Sequence, residues 1–254
     1  MFIWKNLTDW RGTIEEIIPQ EISKELIDEI RANQENFSCF KDTYIKFGDY
    51  TLLEDSFVTY FPTQFKFVRM YHSCRPSDTG SYYEKGILPL DSHEAEEKFK
   101  SLFMVNPRFP AVTESLVDEA ISSMAGSCSR YDHVYFGMDD RYLVEYCSPY
   151  LAYGSEYVQC LVAYLERKLG CHTKSELEKT GTPTVFEVNM PVGKFSSGEL
   201  RELARYVLSA WSFAVAHDKN EVGIVDFSIK IEHGLPPKLI AGHYHPVLDR
   251  DKLS

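Results

Sequence analysis

A histidine, a spaced pair of tyrosines and a scatter of carboxylates are the side chains of this 254-residue sequence that could do chemistry together. His72 ends the strand-like run FVRMYH. A turn-rich loop follows, then a short helical stretch closed by Gly86, fourteen residues after the histidine. A neutral imidazole at that place can hydrogen-bond a ligand hydroxyl. Residues 133–147, HVYFGMDDRYLVEYC, carry Tyr135 and Tyr146, eleven residues apart. Tyrosine rings bury large areas and favour offset or edge contact with another flat ring. Such a set suits a planar ring held beside a sugar hydroxyl. Two pairings compete with it. Cys74 lies two positions from His72, on one face of a strand, as a thiol nucleophile and its base would. His243 and His245, in GHYHP, also share a strand face and suit a metal, although no acidic or cysteine partner stands beside them. The sequence has no Walker-type glycine loop and no GxSxG.

The elements that must position these residues follow from periodicity and punctuation. Ile14, Ile17 and Ile18, then Ile22, Leu26, Ile27 and Ile30, recur at helical steps; Pro19 implies a turn and then a helix from about Pro19 to Asn33. Residues 40–60 are mixed and aromatic, with Gly48 and Asp49 as turn formers and Tyr44, Phe47 and Tyr50 available to pack on the main body. Phe65–His72 reads as a strand and Ser81–Lys85 as one or two helical turns capped by Gly86. Helices are expected over 94–105, 110–125, 141–146, 158–169 and 197–216. The last is capped by Ser196 or Ser197, with Glu199 in its first turn. Strands are expected over 133–137, 185–190, 222–231 and 239–245. Strands and helices mix without a βαβ rhythm, which gives an α+β class.

Composition sets the outer limits. The net charge of -11 opposes nonspecific binding to nucleic acid or anionic membranes. No run approaches the apolar length of a membrane span, and no secretory signal is evident, so no membrane association is expected. Six cysteines at irregular spacing, without a CxxC, read as reduced thiols rather than a zinc site, which implies a cytoplasmic setting and no metal.

Several motifs resemble the ADP-ribosyltransferase fold, in its diphtheria-toxin and poly(ADP-ribose) polymerase branch. MYHSCR with Gly86-Ile87 is similar to the first motif, a strand ending in His-Gly-(Ser/Thr) and a short helix leading to Gly-(Ile/Leu). VYFGMDDRYLVEYC is similar to the second, whose two tyrosines sandwich nicotinamide. Val185–Val188 and 226–240 resemble the later core strands. The resemblance covers roughly residues 65–245. It implies mainly antiparallel, split sheets flanked by helices in a catalytic domain over 61–254, with a helical insertion at about 91–130 and an N-terminal helical extension over 1–60.

The same resemblance implies NAD as substrate and a protein or nucleic-acid acceptor. His72 would bind a ribose, the Ser73 backbone the carboxamide, and the Tyr135 and Tyr146 rings the two nicotinamide faces, with Arg75 on the pyrophosphate and Tyr82 as a further NAD contact; His72 and Tyr146 would count among the catalytic residues. Serine at 73 replaces the family's glycine. The catalytic carboxylate falls on Asp226, one methylene shorter than the family's glutamate, with Glu156, Glu221 and Glu232 as further candidates. A toxin or defence effector restrained by an inhibitory partner is one setting for such an enzyme. A binding module for NAD, ADP-ribose or a protein, on the same fold but without catalysis, and a Cys74/His72 hydrolase are the alternatives. The plainer readings are a packed strand-end histidine, core tyrosines, a solvated loop arginine and an inert buried cysteine.

Overall fold

The computed structural model describes residues 1–17, 22–32, 39–124 and 133–249. Eleven helices are named among these residues, in the order α1 (Leu7–Ile17), α2 (Lys24–Ala32), α3 (Phe40–Tyr44), α4 (Tyr50–Gln64), α5 (Gly80–Lys85), α6 (Ser92–Phe103), α7 (Glu114–Met124), α8 (Asp140–Glu145), α9 (Ser148–Tyr153), α10 (Glu156–Leu169) and α11 (Ser197–His217). The strands are β1 (Phe67–Cys74), β2 (His133–Gly137), β3 (Thr184–Pro191), β4 (Ser228–Glu232) and β5 (Ile240–Tyr244). The class is α+β. The five strands form one sheet, ordered β4-β2-β1-β3-β5, rather than split sheets. None of the described helices is long and apolar enough to cross a membrane.

The chain forms two compact units: residues 1–70, 137–139 and 189–229, and residues 71–136, 140–188 and 230–254. This division differs from an extension over 1–60 followed by a domain over 61–254. The reason is α11, whose buried Leu203, Val207, Leu208 and Trp211 give the first unit a long apolar face. That helix packs on α1, α2, α3 and α4. Its start matches the sequence reading, with Ser196 and Glu199 closing a capping box.

Two helices in this unit replace irregular chain in the sequence reading. Leu7, Trp10, Ile14 and Ile17 bury one face of α1, a separate helix ahead of the one expected from about Pro19; Pro19 and Asn33 lie outside the described residues. Asp49 is a helix cap rather than a turn former, its side chain accepting the Thr51 amide at 2.8 Å. The helix it opens, α4, buries Leu53, Glu54, Phe57 and Phe61. The Glu54 carboxylate, 6% exposed, is held by Arg205 Nε at 2.7 Å. Phe2 pairs with Val68 as a short parallel bridge and packs its ring on Trp10, Phe61 and Phe65. Tyr44 is buried in this unit, whereas Phe47 is exposed.

In the second unit α6, α7, α9 and α10 share a core of Phe99, Phe103, Val117, Leu161 and Leu165. Tyr71, Leu151 and Val185 form a smaller cluster on one face of the sheet. β5 runs antiparallel to β3, with Phe186 opposite His243 and Val185 opposite Tyr244.

The turn after α5 has a steric origin. Ile87 and Leu235 exchange backbone hydrogen bonds of 2.9 and 2.8 Å. Gly86 sits at φ +90°, where a Cβ would stand 2.1 Å from the Leu235 carbonyl oxygen; Gly234, at φ +83°, would bring a Cβ within 2.5 Å of the Ile87 oxygen. Each glycine leaves room for the other strand's backbone. Gly170, at φ +64°, has nothing within 4 Å and isolates the conformational cost alone. Gly170→Ala should cost about 1 kcal/mol. Gly86→Ala should cost at least about 3 kcal/mol, because a backbone clash is added to the strain. Urea unfolding of the two variants measures the difference, and equal losses would remove the crossing as the reason for Gly86.

Candidate functional site

β1 leaves the sheet through residues 72–75, and each of these side chains takes a different environment. The ring of His72 lies 5.6 Å from that of Phe136 on β2, and its Nδ1 is 3.0 Å from the Tyr135 carbonyl oxygen. A carbonyl only accepts, so Nδ1 carries the proton and Nε2 carries the lone pair. Burial lowers the His72 pKa below the usual 6.5, partly offset by the bond to the Tyr135 carbonyl. The ring is therefore neutral at pH 7 and presents an acceptor at Nε2.

Cys74 points to the same face as His72, by strand alternation. Burial pushes its thiol up to about 12, against a hydrogen bond with Tyr82 that acts the other way. A nucleophilic cysteine needs the opposite shift. Tyr82, on α5, stacks on Phe186 of β3 with centroids 4.5 Å apart and planes 21° from parallel. Burial raises the Tyr82 phenol well above its ordinary value, so it stays protonated.

Arg75 has a task that differs from both pyrophosphate contact and free solvation. Its Nε donates to the Thr180 carbonyl at 2.7 Å, Nη1 to the Leu151 carbonyl at 3.1 Å, and Nη2 to the Glu178 carbonyl. One guanidinium thus ties the end of β1 to α9 and to the turn before β3. Gly181 sits beneath it at φ +69°, where a Cβ would be 2.6 Å from the Pro76 oxygen.

The two tyrosines of the second motif are placed separately. Val134 and Phe136 are buried while Tyr135, between them, is 42% exposed. The pleat therefore sends the Tyr135 ring to the face opposite Phe136 and the His72 ring. Only its backbone carbonyl meets His72. Tyr146 follows α8, is 64% exposed, and stacks on Tyr142 with centroids 5.1 Å apart.

The carboxylates also part company. Asp226 is exposed and precedes β4, which begins at Ser228 rather than at 222. Side chains take the carbonyls that a strand would have paired there: Tyr206 Oη donates to Asp226 at 2.9 Å and Trp4 Nε1 to Gly223 at 3.1 Å. Asp226 belongs to the first compact unit; His72, Ser73, Tyr82, Tyr135, Tyr146 and Glu156 belong to the second. Glu156 opens α10 beside the cap Ser155, where the helix dipole favours a negative charge, and its Oε2 is 3.5 Å from the Tyr150 hydroxyl. Glu232 lies 3.6 Å from His133 Nε2 across β4 and β2. Glu221 is exposed.

On the His72 face the structure adds residues that the sequence did not single out for a ligand. Tyr83 follows Tyr82 on α5, and its hydroxyl is 2.7 Å from His243 Nδ1 on β5. Phe186 lies between α5 and β5, 5.6 Å from the His243 ring. The YY pair was visible in the sequence; the strand register that carries His243 to it was not. Among the described residues no group of three or more His, Cys, Asp or Glu is arranged to hold a metal. No family model, curated protein or solved structure matches the chain.

Two measurements separate these roles. Arg75→Met should lower stability by about 3 kcal/mol, since loss of the charged donors leaves three part-buried carbonyls unmatched; a thermal melt unchanged from wild type would contradict the clamp. Brief iodoacetamide treatment at pH 8, read by peptide mass spectrometry, should label the exposed Cys39 and Cys171 and spare Cys74. Preferential labelling of Cys74 would restore the thiol-nucleophile reading.

Proposed function

We propose that this protein binds NAD and transfers its ADP-ribose unit to a macromolecular acceptor, a protein or a nucleic acid, with release of nicotinamide. The observation that carries the reading is the fixed tautomer of His72. Nδ1–H is committed to the Tyr135 carbonyl, so Nε2 is a neutral acceptor near the end of β1. A ribose hydroxyl can donate to it. Cleavage of the glycosidic bond develops positive charge on that ribose, and catalysis then depends on holding the sugar in one orientation. The Ser73 backbone is next along the strand and suits the carboxamide. Glu156 replaces Asp226 as the first choice of carboxylate, because it shares a compact unit with His72. Its work would be to stabilise the developing cation and orient the acceptor.

A second reading keeps the binding without the transfer. Two placements favour it: the Tyr135 and His72 rings lie on opposite faces, and Asp226 stands outside β4.

Incubation of the full chain with adenylate-labelled NAD and a protein and nucleic-acid extract tests the pair. Label transfer with nicotinamide release is expected of wild type and not of His72→Ala, whose fold should persist. The sign of the pH effect follows from the lowered His72 pKa: Nε2 keeps its lone pair at pH 7 and gains a proton only below the usual 6.5. NAD affinity should therefore be level through neutral pH and fall on acidification. Binding without nicotinamide release would select the second reading; no binding at all would dismiss both.

A further inference from the structure

The face that carries His72 continues across β3 to the edge strand β5, and a second group of rings lies there. Phe186 and His243 are opposed in the β3–β5 register. Tyr82 stacks over Phe186, and Tyr83 meets Phe186 edge-on with centroids 6.2 Å apart. Tyr83 is 41% exposed, and His243 and His245 are exposed on the same side of β5 with rings 5.3 Å apart. Three rings, from α5 and the β5 edge, thus converge on one patch, supported from below by the stacked Tyr82–Phe186 pair.

The hydrogen bonds give the two imidazoles opposite outward chemistry. Thr184 Oγ1 donates to the Thr182 carbonyl at 2.9 Å. It therefore accepts from His245 Nδ1 at 3.2 Å, as does the Pro183 carbonyl at 3.1 Å. His245 thus holds its proton on Nδ1 and shows a lone pair at Nε2. At His243 the polarity is reversed. A phenol O–H is a stronger donor than a neutral imidazole N–H, and a phenol oxygen a weaker acceptor than an imine nitrogen, so the 2.7 Å contact is assigned as Tyr83 Oη–H donating to Nδ1. His243 then shows an N–H at Nε2. One outward donor and one outward acceptor stand side by side, next to the exposed Tyr83 ring.

We infer that Tyr83, His243 and His245 form the subsite for the adenine end of the dinucleotide. This rests on the reading that the chain binds NAD. Adenine presents a flat ring, on which exposed aromatics stack. Its N1 acceptor and N6 amino donor are neighbours, the complement of His243 N–H and His245 Nε2. Two strand spacings, about 10 Å, separate β1 from β5, so the ribose anchor at His72 and this patch are distinct stations on one sheet face. Hypoxanthine reverses the polarity of the same edge, with an oxygen acceptor at position 6 and an N–H at position 1. The site should therefore discriminate between the two bases.

Calorimetric titration of the full chain with NAD, nicotinamide mononucleotide and nicotinamide hypoxanthine dinucleotide tests this. Wild type should bind the hypoxanthine analogue about tenfold more weakly than NAD, the loss of one matched hydrogen-bond pair. His243→Ala should weaken NAD about tenfold, abolish that discrimination and leave the mononucleotide within about twofold. Tyr83→Leu, at an exposed position, should weaken NAD similarly and spare the mononucleotide. Equal wild-type affinity for the two dinucleotides would overturn the inference while leaving NAD binding intact. So would a His243→Ala effect shared by the mononucleotide. If wild type binds none of the three, both the inference and the NAD reading fall.

Discussion

One guanidinium sets the geometry of the second unit. Arg75 follows β1 directly, and its three bonds go to main-chain carbonyls at 151, 178 and 180. None of those carbonyls belongs to the sheet. A strand end is otherwise free to fray, because its last residues lack neighbours on both sides. Here a planar, permanently charged fork fixes the exit of β1 against α9 and against the turn that leads into β3. His72 is three residues upstream of that anchor, and its ring is held by the Tyr135 carbonyl and the Phe136 ring on β2. Thr182 N–H adds a bond of 2.9 Å to the Pro76 carbonyl, closing the same junction from the backbone side.

The first unit relies on a different balance. Glu54 is a buried carboxylate in the middle of the apolar stripe of α4, and such a charge is costly unless it is matched. Arg205 grips both of its oxygens, and Arg201 lies 4.0 Å away and also bonds Asp55. The pairing fixes how α4 lies along α11, since only one rotation of each helix brings the fork to the carboxylate. Aromatic packing supplies the bulk of the burial around it, and the ion pair selects the arrangement.

What the sequence revealed and what it concealed divide along physical lines. Elements with a local signature were legible. Ser196 with Glu199 announced α11, Gly170 closed α10, and the alternation in 133–137 gave β2 to the residue. Where the deciding partner was remote, the reading failed. Thr51, Val58, Thr59, Tyr60 and Phe61 favour strands, yet burial against α11 made their segment α4. Residues 222–227 alternate like a strand, but Trp4 and Tyr206 captured their carbonyls. The candidate site divides in the same way. A spacing of eleven residues between Tyr135 and Tyr146 is a distance along the chain; the pleat decides which face a ring occupies, and that parity depended on where β2 joined the sheet. The neutral state of His72 was foreseen, but its cause, burial beside Phe136, was not, nor was the carbonyl on the adjacent strand that fixes the tautomer.

The bond from Trp4 to Gly223 spans 219 positions. Both residues lie in the first unit, whose chain is interrupted by most of the second. Translation at 5–20 residues per second therefore leaves Trp4 waiting roughly 10–40 s for its acceptor. Phe2, Trp4 and Trp10, all essentially inaccessible in the finished fold, spend that interval with neither α11 nor the 222–227 segment to cover them. The order of synthesis thus makes residues 71–136 and 140–188 of the second unit available before the first can close. The early aromatic segment is the part of this protein most in need of protection on the ribosome.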